Sequence, residues 1–188
     1  MIGEIIETKR LVLRPMTIDD AENAFSIWGN KDSGKYLSDP YYKSAEELRK
    51  LLADIKDWSD YQYIAEDKST GDFVGTCSIG PEQEDSEWGF GYCVAENKRC
   101  CGYGTEIAMT MINFARRKGA HVCSAGVAKE NIPSCRVLEK CGMHRVSESS
   151  FRKSGTDKVY ESYIYKINIL NKNKNRLFTK EPASRFKW

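Results

Sequence analysis

At 188 residues the chain has the size of one ordinary domain and can bury a core without disulfides or a structural metal. Its 40% hydrophobic and 30% charged residues fit a soluble globular fold, and a net charge of +2 argues against a nucleic-acid partner. No apolar run is long enough to span a bilayer, and Glu4 and Glu7 break up the N-terminal apolar residues where a secretory signal would be continuous, so a cytoplasmic location is expected.

In chain order, residues 8–14 alternate as a strand, and Thr17–Asp20 open a helix that runs to Gly29. Ser44-x-x-Glu47 is a capping-box signature for a second helix through Trp58. Tyr61–Glu66 and Phe73–Ile79 read as a hairpin around Ser69–Thr70–Gly71–Asp72. A strand over 88–95, a helix over 104–118, a strand over 121–128 and a helix over 133–141 follow. Residues 145–151 and 159–169 close the pattern as a strand pair around Ser154–Gly155–Thr156–Asp157. The order predicts a single α/β (α+β) domain over 7–169 with a mixed, mostly antiparallel sheet. Residues 170–188 carry Lys172, Lys174 and Arg176 and then Leu177, Phe178, Phe186 and Trp188, a basic and aromatic C-terminal tail.

The chemistry concentrates in two segments. The apolar run Glu87–Val94 leads through Glu96–Asn97–Lys98 into Arg99–Cys100–Cys101–Gly102–Tyr103–Gly104–Thr105, which opens a helix. A strand feeding a glycine-rich turn at a helix start leaves several N–H groups converging on one point, which suits a phosphate or pyrophosphate. Gly102 and Gly104 allow the backbone to approach such an anion closely. The second segment, Asn131 to Gly142, follows a strand and forms a short helix.

These residues resemble a known family. Arg99-x-x-Gly102-x-Gly104 is similar to the pyrophosphate loop of the GNAT-type acyl-CoA N-acyltransferases, and Asn131-x-x-Ser134-x-x-Val137-Leu138-Glu139-Lys140-x-Gly142 to their second coenzyme-contacting helix. The opening Thr8–Pro15 followed by Asp19–Asp20–Ala21 resembles the ribosomal-protein N-terminal acetyltransferase-like branch. The resemblance spans roughly residues 7–168. It implies a sheet with a central splayed parallel strand pair flanked by helices, and acetyl-CoA as co-substrate.

It also implies roles. Arg99, Cys100, Cys101, Gly102, Tyr103, Gly104 and Thr105 would hold the pyrophosphate, mainly through main-chain donors. Cys93 and Val94 would offer unpaired backbone groups to the pantetheine arm and the thioester carbonyl, and Asn131 would contact the pantetheine chain or cap its helix. Relatives carry a proton-donating tyrosine where this chain has Leu138; Ser134 is the branch's candidate for that role. Relatives also place a glutamate two residues before the Gly-Tyr pair matched by Gly91–Tyr92, and here Gly89 stands there. Glu87, two residues earlier and on the same strand face, is the expected general base. The branch's alternative carboxylate aligns near Arg152–Lys153 and is lost. Tyr92, Trp88, Tyr36 and Tyr42 are candidates to line an acceptor pocket, and Glu82, Glu84, Asp85 and Glu87 form an acidic stretch.

Seven cysteines with no C-x-x-C or paired-histidine spacing predict free thiols and no metal. Cys93 has no His/Asp pair beside it in the sequence pattern, so the expected reaction is direct attack by an amine on acetyl-CoA, without an acyl-enzyme. The acceptor would be a protein N-terminus or a small-molecule amine, and the protein a monomer or homodimer. The competing expectation is a non-catalytic acyl-CoA-binding or interaction module, motivated by Gly89 and Leu138. A nucleotide-binding phosphate loop is disfavoured because Arg99–Thr105 lacks the Gly-Lys-Ser/Thr ending.

Overall fold

The alternating and glycine-punctuated runs of the sequence pair into one sheet, with helices on both faces. In the computed structural model, which describes residues 3–82 and 86–170, the strands are β1 (Ile6–Glu7), β2 (Leu11–Pro15), β3 (Tyr61–Asp67), β4 (Phe73–Pro81), β5 (Glu87–Val94), β6 (Val122–Ala128), β7 (His144–Arg152) and β8 (Val159–Asn168). The helices are α1 (Ala21–Trp28), α2 (Ala45–Leu52), α3 (Tyr103–Arg117) and α4 (Ile132–Lys140). Sheet order is β1-β2-β3-β4-β5-β6-β8-β7, and every pairing is antiparallel except β5 with β6. This is the mixed, mostly antiparallel sheet expected.

Period-2 alternation sends odd and even strand residues to opposite faces. On one face Leu11, Leu13, Tyr63, Ile79 and Phe90 pack against Ile107, Met111 and Phe114 of α3. Phe114 has no exposed surface and sits among the rings of Tyr61, Tyr63 and Trp88, at centroid distances of 5.1, 6.0 and 6.0 Å. Cutting such a ring to alanine costs about 3–5 kcal/mol. On the other face Ile64 packs with Ala21 and Ala24 of α1 and Leu48 and Leu52 of α2.

Two boundaries differ most from the sequence reading. The strand expected from residue 8 starts only at Leu11: Thr8 Oγ1 accepts from Leu11 N at 2.8 Å, in a tight turn between the short β1 and β2. The second helix stops at Leu52 rather than Trp58 and is followed by a 3-10 turn, Ile55–Asp57. Its start is as expected, with Ser44 Oγ accepting from Glu47 N at 3.1 Å. The apolar spacing continues to Trp58, but the chain must turn there to enter β3, and Asp54 and Asp57 favour the tighter turn. Trp88, one of the aromatic candidates for an acceptor pocket, is partly buried and packs against the core beneath α3. The tail from residue 171 onward, and Glu84 and Asp85, lie outside the described residues. No helix among the described residues is long and apolar enough to cross a membrane.

Candidate active site

The parallel pairing of β5 with β6 covers only Glu87↔Val122, Trp88↔Cys123 and Gly89↔Ser124. Beyond Gly89 the strands part, while each keeps its ladder on the outer side, β5 with β4 to Val94 and β6 with β8 to Ala128. The result is a wedge with its apex at Gly89 and its mouth some five residues, about 17 Å, further along β5.

Hydrogen bonds at the strand ends fix which backbone groups face the wedge. Ser86 O accepts from Val122 N at 3.0 Å, whereas Glu87 O accepts from Glu82 N and Ala95 N donates to Val74 O, both at 2.9 Å. Alternation then turns the N–H and C=O groups of Phe90, Tyr92 and Val94 toward β6, and those of Gly89, Gly91 and Cys93 toward β4. Of the expected pair, Val94 presents its main chain to the wedge. Cys93 does not, and its side chain lies on the α1 face, where Sγ donates to Ser33 O at 3.4 Å. Burial pushes the Cys93 thiol up to about 11, which makes it a poor nucleophile near neutrality.

At the mouth, Cys100 (φ 60°) and Gly102 (φ 81°) both adopt the left-handed conformation that reverses the chain into α3. Gly102 is the N-cap, so no side chain caps the helix, and its first backbone bond is Glu106 N to Gly102 O at 3.2 Å. The amides of Tyr103, Gly104 and Thr105 therefore have no helical partner. Gly104 allows α3 to sit close on β5: an added Cβ would lie 3.2 Å from Cε2 of Tyr92. Arg99 is turned inward from the loop, its Nε donating to Val94 O at 3.2 Å and Nη2 to Ser33 Oγ at 3.0 Å. Cys100 and Cys101 are exposed free thiols.

A residue that the sequence reading left in the first strand braces this loop. Arg10 donates to Cys101 O at 2.8 Å and to Glu106 Oε2 at 2.7 Å, and its guanidinium lies 4.5 Å from the Tyr103 ring centroid. Glu106 also accepts from Thr8 Oγ1 at 2.6 Å, so the β1–β2 turn and the start of α3 are locked together. Nothing local in the sequence signals this contact.

Across the wedge, Asn131 Oδ1 accepts from Ser134 N at 3.3 Å and caps α4. Ser134 Oγ lies 3.0 Å from Tyr92 Oη. Burial pushes the Tyr92 phenol up to about 12, against the lowering effect of the Ser134 hydrogen bond. Leu138 is 1% exposed and belongs to the core.

The carboxylates gather at the apex, on the α1–α2 face. Glu87 Oε2 accepts from Lys166 Nζ at 2.6 Å, both side chains being largely covered. Gly80 and Gly89 are direct register partners, so both bare positions face the same way. A Cβ added at Gly89 would collide with Oε1 of Glu82, and one at Gly80 with Oδ1 of Asp60. Glu82, read from the sequence only as part of an acidic turn, thus lies over the very position that lacks a side chain. Burial first, then the charges of Glu87 and Asp60, raise its carboxyl above the usual range, while Lys166 pulls the other way. Among the described residues no group of three or more His, Cys, Asp or Glu is placed to hold a metal ion.

Beside the wedge, the segment between α1 and α2 is pinned by Lys153, which is 1% exposed. Its Nζ donates to Gly34 O at 2.9 Å, Leu37 O at 3.0 Å and Asp39 O at 2.7 Å. In place of a carboxylate, the closing hairpin supplies a buried ammonium that shapes the segment carrying Tyr36 and Tyr42.

The comparisons with known proteins agree with this geometry. The family model for the acetyltransferase (GNAT) domain matches residues 10–144. The uncharacterized N-acetyltransferase p20 from Bacillus licheniformis is 26% identical over 166 residues, covering 84% of this chain and 88% of that protein. The spermidine N-acetyltransferase from Vibrio cholerae, solved with CoA and spermine, has a TM-score of 0.75 at 17% identity, covering 86% of this chain and 96% of that one. The ribosomal-protein-S5-alanine acetyltransferase from Vibrio fischeri has a TM-score of 0.69 at 14% identity, covering 88% and 97%. With the family model matching well over half of its length, the chain belongs to the GNAT acetyltransferases and is an N-acetyltransferase of that family.

Proposed function

We propose that the protein transfers an acetyl group from acetyl-CoA to a primary amine by direct attack in a ternary complex, the amine belonging to a protein N-terminus or a small molecule. The observation that carries this reading is the wedge. Its main-chain groups at Tyr92 and Val94, which face β6 beyond the last ladder pair, lead straight to the uncapped N-terminus of α3. The amides of the Cys100–Thr105 loop take the pyrophosphate, favoured by the helix dipole. Arg99 acts through Val94 and Ser33, holding the loop against β5 and the segment between α1 and α2, and Asn131 orients the pantetheine arm from the α4 side. Wedge-facing N–H groups, Tyr92 and Val94 foremost, hold the thioester carbonyl and stabilise the oxyanion as the amine attacks.

Two hydroxyls serve the leaving sulphur. A phenol near 12 cannot hand its proton outright to a thiolate whose acid form titrates near ~8.5. Tyr92 instead donates to Ser134 Oγ, which leaves the Ser134 proton directed at the sulphur as a hydrogen bond. On the opposite face the Glu82–Glu87 carboxylates supply the negative charge that draws an ammonium to the apex and the base that neutralises it. The raised thiol of Cys93, bonded away to Ser33, supports direct attack over an acyl-enzyme.

The test is an acceptor screen with acetyl-CoA under reducing conditions, using spermidine and peptides beginning with serine or alanine, product being identified by mass. Acetylated amine with stoichiometric free CoA is expected. Acetyl-CoA binding without turnover on any acceptor would instead favour a non-catalytic coenzyme-binding module.

A further inference from the structure

We propose that Glu82, rather than Glu87, is the group that takes the proton from the acceptor amine. This rests on the transferase reading above. The argument begins with the sheet. Gly80 and Gly89 are register partners, and two opposed glycines leave a bare patch of backbone at the apex. Glu82, just past the end of β4, has its carboxylate on that patch, in the space a side chain at Gly89 would occupy. Gly89 is also the last residue of β5 paired to β6, so the carboxylate stands where the wedge opens. An acceptor nitrogen approaching a thioester between the strands from the α1–α2 face must pass it.

Glu87 is placed differently. Its carboxylate is held by Lys166 at 2.6 Å, in the stretch where β5 and β6 are still laddered. That ion pair holds the Glu87 carboxylate toward β8 rather than toward the opening of the wedge. The charged groups acting on Glu82 come from three elements: Asp60 just before β3, Glu87 of β5 and Lys166 of β8. Burial and the two acids outweigh the lysine and raise the proton affinity of Glu82 above that of an ordinary carboxylate, which suits a base working on an ammonium.

The proton balance is as follows. The amine arrives as R–NH3+ and gives one proton to Glu82, which releases it to solvent. The neutral nitrogen's lone pair forms the C–N bond to the carbonyl carbon. The C–S bond then breaks with its electron pair on sulphur, and the nitrogen's second proton passes to the ionised Glu82. Glu82 releases this second proton too and the thiolate takes one from solvent, so each turnover yields amide, CoA thiol and one net proton, with Glu82 ionised again.

The experiment compares wild type, Glu82→Gln, Glu87→Gln, Gly89→Glu and the double variant Glu82→Ala/Gly89→Glu, with spermidine or the serine peptide as acceptor, whichever wild type acetylates. Calorimetric binding of acetyl-CoA, expected unchanged, verifies that each variant is folded. Glu82→Gln should lower kcat/KM by about 10²–10⁴-fold near neutrality, the deficit shrinking as pH rises and the amine ionises unaided. Glu87→Gln should do far less. Gly89→Glu alone should be impaired by collision with Glu82, while the double variant should regain activity over Glu82→Ala, because a carboxylate again occupies the patch. A Glu82→Gln enzyme with wild-type rate and pH profile would overturn the assignment while leaving the transferase reading intact. Failure of wild type to acetylate any acceptor would overturn both.

Discussion

Replacing Lys153 with methionine tests whether the segment facing the wedge is held by one buried ammonium. Burial lowers the proton affinity of this lysine, with the Asp39 charge opposing, yet its Nζ meets three carbonyl oxygens within 3.0 Å. The Tyr41 ring centroid adds a fourth contact at 4.1 Å. Methionine keeps the apolar stem and removes the charge together with all three donors. A buried carbonyl left without a donor costs about 1–3 kcal/mol. The segment is at the surface and can relax toward water, so the low end applies, about 3 kcal/mol for the three. At a urea slope near ~2 kcal/mol per molar, the unfolding midpoint should fall by about 1.5 M. Because the same segment carries Ser33, Tyr36 and Tyr42, the KM for the amine should rise more than the Kd for acetyl-CoA. A loss under about 1 kcal/mol with an unchanged amine KM would refute the reasoning.

Three further outcomes follow from named contacts. Gly102→Asp and Gly104→Asp should each weaken acetyl-CoA binding by an order of magnitude or more in calorimetry. The first forces a side chain onto φ 81°, the second into the space 3.2 Å from the Tyr92 ring, and both bring negative charge to the proposed phosphate site. Ser134→Ala and Tyr92→Phe should each lower kcat by about fivefold, the worth of one ordinary hydrogen bond, with acetyl-CoA affinity nearly unchanged. Burial pushes the Asp20 carboxyl up, but Arg14 and the Thr17 amide together hold it below its ordinary value. The stability this pair provides is therefore complete above about pH 4 and is lost as pH falls through the depressed value. Arg14→Met should remove roughly 2 kcal/mol at neutral pH, discounted from ~3–5 because Arg14 is partly exposed, and should flatten acid unfolding followed by circular dichroism.

The local structure of the segments proposed to hold the coenzyme was legible because it is written in contiguous sequence. A strand, two left-handed residues and a helix start occupy Glu87 to Thr105, and Asn131 and Ser134 share one helix end. The acceptor side was not. Glu82 gains its place through the register of Gly80 with Gly89, which no run of residues displays. Lys153 reaches carbonyls 114–119 residues away, and Arg10 braces a loop 91 residues on. The assumption that Cys93 and Val94 both face the cleft failed because successive strand residues send their backbone groups to opposite neighbours. The second helix ended early because its apolar spacing outlasts its backbone geometry, a conflict that the turn into β3 resolves.

The most direct test of the central claim, that the wedge and the α3 N-terminus form an acetyl-CoA site, is titration of the reduced protein with acetyl-CoA by calorimetry and thermal shift. Saturable one-to-one binding is predicted. At a hundredfold excess over Kd it adds about 2.7 kcal/mol and raises Tm by about 5–11 °C for a domain of this size. A folded protein that shows neither heat of binding nor a shift in Tm would contradict the account.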